Sequence, residues 1–272
     1  PYAVRVVFTL VTELAFLPAL GLLFVIERLL VNVGHSTWHN AELAPGCQTP
    51  IVVLLHGSKM NDCQFVAARH LLHLNGQEHV YSVNYLKGPW LRDTGGTCVP
   101  EMSAVAADQI LQTLSMGRQH AKDAPVALVG HSLGGLIASY IHEHNLIAPL
   151  NIRLVISISS PLLGSALLGF CKRSLPSVAR CIRGAGAVDA WMVPNSPHLQ
   201  ALLKKMSRNV DKYRFVAGEC DVMVRPASAL CSTVFNVPPD RQLLMPHLAH
   251  HNIAADAWVW KQVADWIVEA CS

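Results

Sequence analysis

One short motif in the sequence has residue types that suit nucleophilic catalysis. Gly130-His131-Ser132-Leu133-Gly134 follows an apolar, β-branched run and precedes a stretch with helical periodicity. In a sharp turn between a strand and a helix, small flanking residues allow strained backbone angles at the serine, and its hydroxyl is raised above the sheet. The helix N-terminus can then stabilise an oxyanion. The motif predicts that Ser132 is a nucleophile; the alternative is a glycine-rich turn whose serine has no chemical role.

A serine hydroxyl becomes nucleophilic when a histidine, oriented by a carboxylate, takes its proton. After a strand–turn–helix nucleophile, the acid and then the histidine follow in the chain. We favour Asp221 as the acid, because it follows a predicted strand and would share the sheet edge of Ser132, with Glu219 as the alternative. The histidine is expected in the loop after the last predicted strand, which contains His247, His250 and His251.

Two backbone N–H groups are expected to bind the oxyanion. Leu133 directly follows the nucleophile and would supply the first. The apolar run that ends at Leu55 continues into His56-Gly57-Ser58, so the N–H of Ser58 would supply the second. Gly57 allows the close approach that a bound carbonyl needs. Removal of one such donor typically lowers the rate by ~10²–10³-fold.

The elements that must position these residues alternate along the chain between short apolar strands and longer helices. The predicted strands are Ile51–Leu55, His79–Asn84, Pro125–Val129, Arg153–Ser157, Tyr213–Ala217 and Gln242–Met245. The predicted helices are Asp62–Asn75, Glu101–Met116, Leu133–His144 and Ala255–Ala270. This alternation predicts an α/β fold with a mostly parallel sheet flanked by helices and a ligand site at the carboxyl ends of its strands. Residues 161–197, rich in Leu, Gly and Pro, interrupt it and are predicted to form a lid or cap.

Several stretches make the chain resemble the α/β-hydrolase superfamily, and within it the lipase and GPI-inositol-deacylase-like group. They are Leu54-Leu55-His56-Gly57, Val129-Gly130-His131-Ser132-Leu133-Gly134-Gly135, Ser159-Ser160-Pro161-Leu162-Leu163-Gly164-Ser165 and Met192-Val193-Pro194-Asn195-Ser196-Pro197-His198-Leu199. The resemblance covers about residues 50–270 and implies the α/β-hydrolase fold. Relatives often carry Leu-Pro-x-x-Gly-His before the closing helix. Met245-Pro246-His247-Leu248-Ala249-His250 is similar, with Ala249 replacing Gly, which implies His250 as the base and leaves His251 as the alternative.

Together these features predict a serine carboxylic-ester hydrolase, a lipase or esterase that forms an acyl-enzyme on a lipophilic ester. The apolar insertion at 161–170 favours a lipophilic substrate. We expect no cofactor, and no metal, because no Cys or Asp lies near the histidine-rich loop to complete a ligand set. The alternatives are an acyltransferase, thioesterase or amidase with the same triad, and a non-catalytic, membrane-tethered scaffold that keeps the hydrolase fold.

The composition favours a membrane-associated protein. Hydrophobic residues make up 51% of the 272 residues and charged residues 14%, which excludes an intrinsically disordered chain. The 21 basic and 18 acidic residues are dispersed, so no nucleic-acid-binding stripe is predicted. From Val6 to Ile26 only Glu13 is charged, and such a helix could cross a ~30 Å hydrocarbon layer.

These features divide the chain into three parts. We predict a membrane-anchor or interfacial helical segment at 1–33, a linker at 34–50 and the hydrolase domain at 51–272. A helix buried against the domain is the alternative for the first segment. The eight cysteines favour an oxidising compartment and so an exported, extracytoplasmic protein. Cys171–Cys181 and Cys220–Cys231 are the candidate disulfides, with buried free thiols as the alternative.

Overall fold

The computed structural model describes residues 49–58, 60, 62–85, 98–116, 124–168 and 188–271. The predicted anchor at 1–33, almost all of the predicted linker, the Cys171–Cys181 pair and residues 169–187 of the predicted lid lie outside these residues. Within the described ranges, no helix is both long and apolar enough to cross a membrane.

A six-stranded parallel sheet forms the centre of the molecule, in the order β2-β1-β3-β4-β5-β6. Its strands are β1 (Ile51–Leu55), β2 (His79–Val83), β3 (Pro125–His131), β4 (Asn151–Ile158), β5 (Tyr213–Gly218) and β6 (Gln242–Met245). Strands that are buried on both faces read as continuous apolar runs, as the central strands do here. The predicted α/β architecture with a mostly parallel sheet is confirmed.

Helices cover both faces of the sheet. In chain order they are α1 (Val66–Leu74), α2 (Val99–Met116), α3 (Leu133–Glu143), α4 (Val188–Met192), α5 (Pro197–Met206), α6 (Pro226–Ala229) and α7 (Ala257–Cys271). The apolar core lies in two layers: Val53 and Leu55 of β1 face the layer built with α2, α3 and α5, whereas Val52 and Leu54 face the layer built with α1 and α7.

Some element boundaries differ from the prediction. Strand β3 continues two residues beyond Val129, because Gly130 and His131 pair with Ser157 and Ile158 of β4. The closing helix begins at Ala257, since the residues before it form a 3₁₀ turn, Asn252–Ala255. The first of these differences brings the backbone of the motif serine directly to the end of a strand.

The predicted Cys220–Cys231 disulfide is wrong. Cys231 has a free thiol, which donates to the carbonyl oxygen of Ser228 at 3.7 Å. Burial raises the pKa of this thiol. Cys231 is fully buried in the apolar layer beside Phe235, so it packs as a small hydrophobic residue.

Candidate active site

Ser132 lies in the turn between the end of β3 and the start of α3. Its φ is +54° and its ψ is −122°, a left-handed conformation that costs a non-glycine residue about 1–3 kcal/mol. The backbone N–H of Ser132 donates to the carbonyl oxygen of Ile158 at 2.9 Å, which holds the turn to the end of β4. A Cβ added at Gly130 would lie 2.3 Å from the backbone carbon of Gly134, so the turn requires a residue without a side chain.

The side chains of Ser132, His250 and Asp221 form one hydrogen-bonded chain. The Oγ of Ser132 lies 2.9 Å from Nε2 of His250, and Nδ1 of His250 lies 2.8 Å from Oδ2 of Asp221. A carboxylate can only accept, so Nδ1 donates to Asp221 and Nε2 is left to accept from the serine hydroxyl. Ser132 follows β3, Asp221 follows β5 and His250 follows β6, so the three meet at the carboxyl edge of the sheet.

Two backbone donors fix the orientation of the Asp221 side chain. Its side chain is buried, and its Oδ1 accepts the N–H groups of Met223 at 2.9 Å and Val224 at 2.8 Å. These bonds leave Oδ2 for His250. A buried carboxylate with this many donors keeps a fixed orientation, and it can stabilise a positive charge on the histidine.

The residues kept as alternatives take other positions. The ring of His251 meets that of His250 edge to face, with centroids 5.2 Å apart and planes at 87°. The backbone N–H of Glu219 donates to Met245 at the β5–β6 edge. His247 is exposed. His250 and Asp221 are therefore the members of these sets that the structure brings to Ser132.

The predicted oxyanion donor Leu133 follows Ser132 in the chain, and the other, Ser58, follows Gly57, which packs against Ser132. Leu133 is the first residue of α3, and Gly57 is so close that an added Cβ would lie 3.3 Å from Cβ of Ser132. The N–H of Gly57 is occupied, because it donates to Oε1 of Gln64 at 2.9 Å. Among the described residues, the N–H groups of Ser58 and Leu133 have no protein acceptor.

Two further polar residues, Gln64 and His131, adjoin the site, and the sequence predicts a role for neither side chain. Gln64 and His131 are buried, and their side chains lie 2.6 Å apart, from Nε2 of Gln64 to Nδ1 of His131. Burial, followed by the nearby His250 and His251 side chains, lowers the pKa of His131 well below its usual value. His131 belongs to the serine motif, but Gln64 carries no sequence signal, because its contact with His131 joins residues 67 positions apart.

No set of three His, Cys, Asp or Glu side chains that could hold a metal ion occurs in the part of the chain that the structure describes. The hydroxyl, imidazole and buried carboxylate of the site have the donor and acceptor order that acyl transfer requires.

Comparison with known proteins places the chain in a family. The family model described as "Alpha/beta hydrolase family" matches residues 52–270. The protein therefore belongs to the alpha/beta hydrolase family, and this membership supports hydrolase activity. A search of curated proteins gave no significant match.

Solved structures share the fold at low sequence identity. The mature lipase BlEst2 from Bacillus licheniformis is 13% identical, with a TM-score of 0.59 over 82% of this chain and 94% of that one. A bromoperoxidase from Bacillus anthracis is 14% identical, with a TM-score of 0.54 over 83% of this chain and 93% of that one. Phospholipase PlaB from Legionella pneumophila is 19% identical, with a TM-score of 0.49; the match covers 63% of this chain and only 38% of PlaB.

Proposed function

We propose that this protein is a serine hydrolase that cleaves carboxylic esters. The observation that carries the proposal is the continuous hydrogen-bonded chain from Ser132 through His250 to Asp221, with Ser132 on a strained turn. A strained turn costs stability, and such strain persists at sites where the geometry serves a reaction. In this proposal Ser132 is the nucleophile, His250 the general base and Asp221 the residue that orients and stabilises it.

The proposed reaction has two halves. Ser132 Oγ attacks the ester carbonyl while its proton passes to Nε2 of His250, and the N–H groups of Ser58 and Leu133 bind the oxyanion. The C–O bond to the alcohol then breaks, and His250 returns the proton to the leaving oxygen. A water molecule, deprotonated by His250, attacks the acyl-enzyme; the acid leaves and Ser132 regains its proton. In total, one ester and one water molecule are converted into one carboxylic acid and one alcohol.

The start of the predicted lid supports a lipophilic acyl group. Leu162 is buried, Leu163 half-buried, and Leu167 is 38% exposed. This stretch is fixed beside the loop that carries Asp221, since Ser165 Oγ donates to the carbonyl oxygen of Met223 at 2.5 Å. Ser228 of α6 also holds it: its Oγ donates to the Gly164 carbonyl at 2.7 Å and accepts the N–H of Leu163 at 3.1 Å. The apolar segment therefore begins next to the loop that carries Asp221, where it can contact an acyl chain.

Hydrolysis of p-nitrophenyl esters from acetate to palmitate tests this proposal. We expect kcat/KM to rise from acetate to medium chains, because each buried methylene contributes about 0.8 kcal/mol of transfer free energy. Leu167→Asn should lower the preference for longer chains. Leu74→Asn is the matched control: Leu74 is 69% exposed at the end of α1, and the profile should not change.

Two outcomes would contradict the lipophilic substrate: a maximum at acetate, or an unchanged profile in Leu167→Asn. Matched thioester and anilide substrates in the same assay separate the thioesterase and amidase alternatives. Added alcohol acceptors, with transfer products measured, separate the acyltransferase.

We further propose that residues 1–33 hold the domain at a membrane, on its extracytoplasmic side. The support is the sequence from Val6 to Ile26, in which only Glu13 is charged. Deletion of residues 1–33 should move the protein from the membrane fraction to the soluble fraction without loss of esterase activity. Retention in the membrane fraction after deletion would contradict this role.

A further inference from the structure

Four groups near Ser132 form a second hydrogen-bonded chain that the proposed reaction does not use. The N–H of Gly57 donates to Oε1 of Gln64 at 2.9 Å, and Nε2 of Gln64 lies 2.6 Å from Nδ1 of His131. On the other side of the ring, Nε2 of His131 lies 2.7 Å from the backbone oxygen of His250. The chain thus joins the loop of the proposed oxyanion donor Ser58 to the backbone of the proposed base.

The chemistry of its two ends fixes the direction of every bond in this chain. A backbone N–H can only donate, so Gln64 must turn its oxygen toward Gly57 and its NH₂ toward His131. Nδ1 of His131 is therefore an acceptor without a proton. The ring proton is on Nε2, which donates to the carbonyl of His250, a group that can only accept. One tautomer of neutral His131 satisfies both neighbours.

We infer that Gln64 and His131 are positioning residues for ester hydrolysis, which fix the oxyanion loop and the His250 backbone relative to each other. The inference rests on the proposed function of Ser132 and His250. Gln64 holds the N–H of Gly57 away from the substrate, so that the next N–H, that of Ser58, is the one presented. His131 holds the carbonyl of His250. It thereby fixes the backbone from which the His250 side chain extends to Oγ of Ser132, at 2.9 Å.

The packing leaves little freedom for other arrangements. A Cβ added at Gly57 would lie 3.2 Å from Nδ1 of His131 and 3.7 Å from Oε1 of Gln64. His131 is 1% exposed and Gln64 is 5% exposed, so water does not replace a lost bond easily. A lost bond here therefore displaces the loop, and displacements of about 1 Å in an active site can lower rates by about 10²-fold.

The amide of Gln64 also keeps His131 uncharged. A proton on Nδ1 would face the NH₂ of Gln64, donor against donor. The titratable groups around the ring are His56 after β1, and His250 and His251 after β6, each of which disfavours a positive charge on His131 when it is itself protonated. The ring centroids of His131 and His250 are 5.0 Å apart. A neutral His131 thus spares the His250 imidazolium, formed during the reaction, a like charge at close range.

Gln64→Met tests the inference, because it keeps the length of the side chain and removes both hydrogen bonds. We expect kcat for ester hydrolysis, and the rate of labelling by a fluorophosphonate probe, to fall by about 10–100-fold. KM should change by less than about twofold, since neither residue binds the ester in this mechanism. The matched control is Gln242→Met, at the first residue of β6. It loses the hydrogen bond from Gln242 to the carbonyl of Val237 and should keep wild-type kinetics.

Nitrogen NMR of ¹⁵N-histidine-labelled protein tests the same inference without activity. Wild-type His131 should carry its proton on Nε2, with Nδ1 unprotonated, throughout the neutral pH range. In Gln64→Glu, which keeps the shape and the acceptor for Gly57, His131 should become doubly protonated, because the carboxylate requires a donor at Nδ1. Labelling of this variant should be slower than wild type and faster than Gln64→Met. If Gln64→Met fails to fold, the Gln64→Glu variant still tests the inference.

The outcomes separate this inference from the proposed function. Wild-type kinetics in Gln64→Met, or a proton on Nδ1 of wild-type His131, would overturn the positioning role even if the enzyme is active. If wild-type protein fails to hydrolyse esters or to label, the proposed function fails, and the NMR result still decides the state of His131.

Discussion

Replacement of Ser132 by alanine is expected to abolish ester hydrolysis, with kcat lowered by about 10⁵–10⁶-fold. The substitution removes the oxygen that we propose attacks the ester, and it leaves His250 without its 2.9 Å partner. Alanine keeps the Cβ of serine, so the strain at φ +54° is unchanged and the fold should be retained. Turnover of a medium-chain p-nitrophenyl ester, measured beside thermal unfolding of the same sample, checks both parts.

Ser159→Ala is the matched control for this prediction. Ser159 also follows a sheet strand, has a positive φ of 46° and is fully buried. Its Oγ has no hydrogen-bond partner among the described residues. We expect this variant to keep activity within a few-fold of wild type. Turnover by Ser132→Ala close to that of wild type would refute the assignment of Ser132 as nucleophile. If turnover were negligible in both proteins, the non-catalytic scaffold alternative would be favoured.

His250→Gln is expected to lower kcat by about 10⁴–10⁶-fold, whereas His251→Gln should lower it by less than about tenfold. His250 alone bridges Ser132 and Asp221, at 2.9 and 2.8 Å. Glutamine preserves polarity and volume but cannot act as a base near neutral pH. The ring of His251 meets that of His250 edge to face, so its loss should change the packing of the proposed base rather than the proton transfer.

The two histidine variants are their own matched pair, because they differ by one position in one loop. Equal losses of kcat in the two variants would mean that the substitutions perturb the loop. That result would contradict the assignment of His250 as the base. A larger loss in His251→Gln would exchange the two roles. Steady-state kinetics on one ester, with unfolding curves for both proteins, distinguishes these results.

Local patterns in the sequence predicted most of the fold. The strands were recognisable because parallel strands buried on both faces give continuous apolar runs such as Ile51–Leu55. The serine motif was recognisable because its turn needs small residues at fixed spacing. Strand ends were less accurate: β3 reaches His131 because of its pairing with β4, a contact between distant segments that periodicity does not encode.

Contacts that depend on tertiary structure could not be predicted. Gln64 and His131 are 67 positions apart, and His131 and His250 are 119 positions apart. No local sequence pattern therefore predicts their hydrogen bonds. The choice among His247, His250 and His251 needed a family resemblance. The direction of each side chain depends on the backbone angles of the loop, which the sequence does not indicate. The Cys220–Cys231 prediction relied on proximity in sequence, but the buried thiol of Cys231 instead donates to Ser228.

The fold alone does not decide the reaction. A lipase and a bromoperoxidase both share it with this chain at under 15% identity, so the function must be argued from the site. The central claim is that Ser132 is an activated nucleophile.

Intact-mass analysis after treatment with a fluorophosphonate probe tests that claim most directly, on wild type, Ser132→Ala and Ser159→Ala. A single adduct on wild type and Ser159→Ala, absent from Ser132→Ala and assigned to Ser132 by peptide mapping, is the predicted result. An adduct that persists in Ser132→Ala, or no adduct on wild type even with detergent present, would contradict it.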